Sequence, residues 1–303
     1  VVGDWLALEL IADSPGEPPR AAALRAVLPR ATVLARSSGT AGRLGDHIDA
    51  QVLAANVHVA LLVSAVGRDL NPRRIERYLL TCLAGGVEPV IVLNKADLAD
   101  DLAADLASVG QVARGHPVIA MSALTGIGLD ALAEHLRPGM TVCLLGSSGV
   151  GKSTLSNALL GSQRQAIRET RADDDRGRHT TTSRELFELP SGALLIDTPG
   201  LRAVGVWDDG SGLGQAYDDI ERAALLCRFS DCRHAGEPGC AVAAAVASGE
   251  IDTARLESFR KLDREIASLE LRNDARAARA QERRLGRIYR EAAKPAKRRW
   301  SDD

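Results

Sequence analysis

Aromatic residues are scarce: Phe, Tyr and Trp together make up 3% of the 303 residues. Any core must therefore be built from Leu, Val, Ile and Ala. Long hydrophobic runs are also missing. None approaches the roughly 18 apolar residues of a membrane-spanning helix, so no membrane partner is expected. No secretory signal opens the chain. It begins Val1-Val2-Gly3-Asp4-Trp5, without Met and with a strand-like run almost at once, which suggests that part of a first domain has been lost. Cysteines number five, an odd count that argues against a disulfide framework. Cys82 and Cys143 fall inside apolar segments and read as buried, inert thiols. A reducing, cytoplasmic location is expected. The apolar share of 45% is that of a soluble globular protein, and the length suits two or three domains.

The formal net charge of −2 conceals an asymmetry. From Arg255 to the end there are 15 Lys and Arg against 9 Asp and Glu, a surplus of six, so the rest carries −8. A basic tail on an acidic body suits a polyanionic partner, or simply a solvated helix face laced with ion pairs. Lys294, Lys297, Arg298 and Arg299 are the candidates for phosphate contacts.

Residues 1–45 are rich in Gly, Pro, Ala and Arg, with short apolar runs at Asp4 to Leu8 and Ala31 to Leu34; they read as the remnant of a small β domain. From Asp46 the character changes. Apolar runs at Val57–Val63, Val90–Leu93, Val118–Met121, Val142–Leu145 and Leu194–Ile196 alternate with helical stretches at Pro72–Leu83 and Gly128–Leu136. Such runs suit parallel strands buried on both faces, hence a doubly wound α/β sheet. Gly205–Gly214 reads as a connector. The polar tract from Asp252 carries Phe259, Leu262, Ile266 and Leu269 at helical spacing, a core-facing stripe.

Gly146-Ser147-Ser148-Gly149-Val150-Gly151-Lys152-Ser153 fits G-x-x-x-x-G-K-[ST]. It follows a strand and opens the helix Thr154–Leu160, the context this phosphate-binding loop needs. Its glycines let backbone amides turn inward around phosphate oxygens. Lys152 is expected to reach the β and γ phosphates, Ser153 to ligate Mg²⁺ and Thr154 to bond the α-phosphate.

Asn94-Lys95-Ala96-Asp97 follows Val90–Leu93 and fits N-K-x-D. A carboxylate only accepts hydrogen bonds, so Asp97 matches the two donors of guanine at N1 and N2. The Lys95 stem can lie along the base. Ser122-Ala123-Leu124, after Val118–Met121, fits S-A-x, with the Ala123 N–H expected to donate to guanine O6. Asp197-Thr198-Pro199-Gly200 fits D-x-x-G: Asp197 would hold Mg²⁺ through water, and the Gly200 N–H would sense the γ-phosphate. Between loop and Asp197 lies Arg178-His179-Thr180-Thr181-Thr182, of which Thr180 or Thr181 would complete the Mg²⁺ shell. Leu201 stands where a water-orienting Gln is common. His179 is the candidate for that role; packing and RNA contact are its alternatives.

Cys227-x4-Cys232-x-His234-x5-Cys240 gathers three thiols and an imidazole. That set suits tetrahedral Zn²⁺ with no open position, a structural site, one per chain.

The guanine motifs thus precede the phosphate loop, an order that marks a circularly permuted GTPase. With the Arg178–Thr182 segment and the Cys/His cluster, the chain resembles the ribosome small-subunit-dependent GTPase A family along nearly its whole length, including Gly3-Asp4-Trp5 and Ala55-Asn56-Val57. The resemblance implies a multidomain α/β protein: a partial N-terminal OB-fold over 1–45, a permuted P-loop GTPase domain over 46–205 and a C-terminal helical zinc-binding domain over 206–303. It also implies GTP and GDP as ligands, late maturation of the 30S subunit, contact with 16S rRNA, hydrolysis stimulated by that particle, and a monomer. His58 departs from the Asp usual in the family. A non-catalytic, GTP-dependent rRNA-binding scaffold is the alternative. The permutation places Asp197 directly before the zinc domain, so loss of γ-phosphate is expected to relax Thr180 and Gly200 and tilt that domain.

Overall fold

The computed structural model describes residues 1–11, 21–37, 50–161, 185–197 and 211–268. Two antiparallel pairs come first. β1 (Leu6–Ile11) pairs with β2 (Ala21–Val27), and β3 (Val33–Ser37) pairs with β4 (Ala50–Ala55). β3 and β4 stand on either side of residue 45 in the sequence. Among the described residues these strands form two two-stranded sheets.

The chain then lays down β5 (Val59–Ala65), α1 (Pro72–Ala84), β6 (Glu88–Asn94), α2 (Leu102–Ala113), β7 (Val118–Ala120), β8 (Thr141–Leu145), α3 (Lys152–Leu160), β9 (Glu185–Glu188) and β10 (Leu194–Asp197). Six strands make one sheet in the order β7-β6-β5-β8-β10-β9. All pair in parallel except β9, which closes one edge antiparallel to β10. Every residue of β5 is buried, as a strand covered by helices on both faces requires. The five runs read as strands are strands, with ends displaced by at most two residues. Gly128–Leu136 differs. It forms a short 3-10 turn, Asp130–His135, confined between Gly128, at φ +75°, and Pro138. At His58, Nδ1 accepts the Thr141 N–H at 2.9 Å, a bond a carboxylate could also accept, so the departure from Asp keeps the local pairing.

Helices cover both faces. Ile75, Tyr78, Leu79 and Cys82 of α1 and Val109 and Ala113 of α2 pack on one; Leu155 and Leu160 of α3, with Met121 and Leu132, pack on the other. Cys82 and Cys143 are fully buried, and desolvation pushes both thiols up, Cys143 to about 12, as expected of inert groups.

The C-terminal part contains α4 (Ser211–Ala216), α5 (Asp218–Ala224), α6 (Ala241–Ala247) and α7, residues 253–268. The end of the segment read as a connector is therefore helix α4, held close to α1: a Cβ added at Gly212 would lie 2.8 Å from the Leu80 carbonyl oxygen. Phe259, Leu262 and Ile266 are buried as the stripe predicted; Leu269 lies outside the described residues. Their cluster also contains Tyr217, Ile220, Val242 and Leu80 of α1. α1 thus serves two cores. No helix among the described residues is long and apolar enough to cross a membrane.

Candidate nucleotide site and metal centre

In the central sheet, β5, β6 and β7 fan out to one side of β8, and β10 and β9 lie on the other. The crossovers reverse direction between β5 and β8. A ligand of a doubly wound sheet binds beyond the carboxyl ends of the strands at such a point. The phosphate loop leaves β8 there, and Asn94 ends the nearby strand β6.

The loop is shaped by close approaches. Gly146 has φ +153°, and a Cβ on it would lie 2.3 Å from the Val63 carbonyl oxygen. Gly151 has φ +94°, and a Cβ there would lie 2.3 Å from Asn94 Nδ2. Lys152 Nζ donates to the Gly146 carbonyl at 2.7 Å and to the Ser147 carbonyl at 2.5 Å, so the ammonium rests across the loop's own carbonyls. Ser148 and Gly149 are exposed, Val150 is buried, and Ser153 and Thr154 lie in the first turn of α3.

Asn94 joins three loops. It is buried; its Nδ2 donates to the Val150 carbonyl at 2.8 Å, and its Oδ1 accepts the Ala123 N–H at 2.9 Å. The Ala96 N–H donates to the Met121 carbonyl at 3.0 Å, a second tie between the guanine motifs. Lys95 adopts a left-handed conformation, φ +64°, and leads into a 3-10 turn on which Asp97 is exposed. Ser122 is buried, and its hydroxyl accepts the Thr125 N–H at 3.2 Å. The Ala123 N–H, read as the donor to guanine O6, is donated to Asn94, because a buried amide oxygen must be satisfied.

The structure therefore brings the residues of the phosphate loop together with Asn94, Lys95, Ala96, Asp97, Ser122 and Ala123. Asp197 ends β10, whose Ile196 pairs with Cys143 of β8, so its backbone sits one strand from the loop. His179, Thr180, Thr181, Thr182, Gly200, Leu201 and the tail residues Lys294, Lys297, Arg298 and Arg299 lie outside the described residues. Arg74 was missed: its Nη1 donates to Ser147 Oγ at 2.9 Å. No local pattern announces a contact across 73 positions; its only signal was a basic residue in the first turn after Asn71-Pro72.

The metal cluster is complete. The donor atoms of Cys227, Cys232, His234 and Cys240 all lie within 4.8 Å of one another. Tetrahedral zinc, with bonds of about 2.3 Å to sulfur and about 2.0 Å to nitrogen, implies ligand–ligand edges of roughly 3.8 and 3.5 Å. Cys227 Sγ is 3.9 Å from Cys240 Sγ, and His234 Nδ1 is 3.6 and 3.5 Å from those sulfurs. The residues fit zinc. Cys240 caps α6 and accepts the Ala243 N–H at 3.3 Å. Desolvation raises the Cys227 thiol, but the Val242 and Ala241 amides and the neighbouring sulfurs outweigh it and hold the thiol below its ordinary value. Helix-end amides favour the thiolate that a metal needs. Glu237 fastens the ligand loop by accepting the Arg233 and Ala235 N–H groups at 3.0 and 2.6 Å.

Fold and site together define a P-loop GTPase whose domain is circularly permuted. The model of the RsgA GTPase family matches residues 27–207, and one described as a 50S ribosome-binding GTPase matches 141–275. The chain belongs to the RsgA GTPase family. A relative from Methanosarcina acetivorans, named small ribosomal subunit biogenesis GTPase RsgA, is 50% identical over 80% of this chain and 64% of its own length. The chain thus spans just under two thirds of that relative. One of the same name from Syntrophotalea carbinolica is 45% identical over 96% of this chain and 79% of its own. Among solved structures, YjeQ from Thermotoga maritima superposes with a TM-score of 0.61 at 28% identity, over 88% of this chain and 84% of that one.

Proposed function

We propose that this chain hydrolyses GTP in the cytoplasm during late maturation of the 30S ribosomal subunit, as a monomer contacting 16S rRNA and stimulated by that particle. The observation that carries the nucleotide part is the Asn94 bridge, which holds the phosphate loop and both guanine motifs around one crevice. The names of the two relatives support the ribosomal part.

The roles follow from the chemistry. Asp97 takes the N1 and N2 donors of guanine, the Lys95 stem covers the base, and Ala96, Ser122 and Ala123 shape the base pocket. Gly146 to Gly151 wrap the pyrophosphate, Lys152 releases its loop carbonyls to neutralise the β and γ phosphates, and Thr154 meets the α-phosphate. Ser153, Thr180 or Thr181, and Asp197 through water would hold Mg²⁺. The Gly200 N–H senses the γ-phosphate, and His179 orients the attacking water. Mg²⁺ supplies charge neutralisation of the phosphates when bound. Cys227, Cys232, His234 and Cys240 hold a structural zinc. Three units are assigned: a β unit at the start, the permuted GTPase domain, and a zinc-bearing helical unit at the end.

GTP turnover measured alone, with purified 30S and with 50S separates this reading from a passive scaffold. Strong stimulation by 30S alone is expected. Equal turnover under all three conditions overturns the proposal.

A further inference from the structure

Helix α1 lies between the phosphate loop and the C-terminal unit. Its apolar face, Ile75, Tyr78, Leu79 and Cys82, is packed on the sheet. Its opposite face grips α7. The Arg77 guanidinium forms a two-pronged pair with Glu265, at 3.0 and 2.8 Å. Arg73 donates to the Ala254 carbonyl at 2.8 Å and to the Ser258 hydroxyl, and Ser258 Oγ donates to the buried Glu76 at 3.0 Å. One residue from Arg73, at the amino end of the same helix, Arg74 bonds Ser147 of the phosphate loop. Ser147 is also the residue whose carbonyl holds Lys152.

We propose that α1 transmits contact at the C-terminal unit to the phosphate loop, with Arg74 as a positioning residue that acts through Ser147. The idea rests on the reading that a ribosomal particle engages this chain and stimulates hydrolysis. Arg73, Arg74 and Arg77 all lie in the first two turns of α1, so the two contacts are joined by about 6 Å of stiff helix. Directional bonds at both of its contacts turn a shift of α7 into a shift at the loop rather than into local bending. The route runs through described residues from metal-bearing unit to phosphate site, independently of the segment that follows Asp197. The same bonds run in the other direction, so exchange of GDP for GTP at the loop is expected to reach α7.

Two measurements on the whole chain test this. First, turnover with and without 30S is compared for Arg77→Glu, Glu265→Arg and the double exchange, with zinc content and melting temperature as folding controls. Each single variant is expected to keep basal turnover and GDP affinity and to lose stimulated turnover by roughly 2- to 30-fold, the range of coupling-path mutations. The double exchange restores most of it. Unchanged stimulation in the single variants, or a loss that the exchange does not restore, overturns the proposal. A wild-type chain that 30S fails to stimulate overturns instead the functional reading beneath it. Second, amide hydrogen exchange of 253–268 is compared with GDP and with a non-hydrolysable GTP analogue. The two states differ in wild type and converge in Arg74→Ala. A difference that persists undiminished in Arg74→Ala overturns the proposal without any ribosomal particle.

Discussion

A buried primary amide is expensive unless every polar atom it carries is used, and Asn94 uses both ends of its side chain on loops other than its own. Truncation to Ala leaves the Val150 carbonyl and the Ala123 N–H without a partner. Each orphaned group costs about 1–3 kcal/mol. Asn94→Ala is therefore expected to lower the melting temperature and to weaken GDP binding, because the phosphate and base loops lose their common anchor; unchanged GDP affinity in a titration would show that the loops hold themselves. Asp97→Asn tests a different property. It replaces an acceptor-only group with one that also donates, so preference should shift from guanine toward xanthine nucleotides in competition binding. A third residue-scale expectation concerns pH. The Arg30 guanidinium, bonded to Asp4 at 2.7 and 3.1 Å, and after it the Val1 amino group at 2.6 Å hold that carboxyl at about 2. A depressed folded value stabilises above the unfolded value near 3.8 and loses that contribution as pH falls toward 2. Asp4→Asn should then flatten acid unfolding in that window. At this scale the sequence was informative where chemistry depends on local spacing: the glycines around Lys152, Asn94 with Asp97, and the thiols with His234. It was silent on Arg74 and on the bond between the Ala123 amide and Asn94, because both depend on which distant side chain arrives to claim a partner.

Elements show the same division. β5, β6 and β8 were legible because interior parallel strands need continuous apolar runs. β4 was not, since Ala50-Gln51-Val52-Leu53 carries no strong strand signal and is a strand through pairing with β3. α2 went unread although Leu102, Leu106, Val109 and Ala113 stand at helical spacing; Val109 and Ala113 are buried, and Leu102 and Leu106 pack half-buried beside them. The basic helix α1 was legible over Pro72–Leu83, yet its second buried face was not foreseen. Leu80 is fully buried in the C-terminal core although it belongs to the nucleotide domain's helix. Leu80→Ala opens a cavity between two units, and Leu→Ala in such a core costs about 2–5 kcal/mol. Denaturant unfolding of that variant should show the C-terminal unit loosening first, with GDP binding retained until the sheet itself melts. A single cooperative transition at the wild-type midpoint would mean that the shared face carries little of the stability.

For the molecule as a whole, the question is what keeps the last unit folded. Apart from α7, its core is assembled from short helices, α4 of six residues, α5 and α6 of seven each, none of these three long enough to be stable alone. Two outside supports remain: the face of α1 and the metal cluster. Each of the cluster's three thiols must lose a proton to bind zinc, so the metal becomes easier to remove as pH falls. Chelation by a strong competitor at neutral pH should release one zinc per chain, reduce helicity, and raise hydrogen exchange across 211–268. GDP affinity should survive, because Asn94 and the loop around Lys152 hang on the central sheet and touch none of the ligands. Stimulation by 30S should be lost in the same titration, since α7 would no longer hold Arg77 in a fixed direction. If instead chelation leaves helicity intact, the cluster is not what folds this unit. If it abolishes GDP binding, the phosphate site depends on the metal through contacts stronger than the α1 face provides.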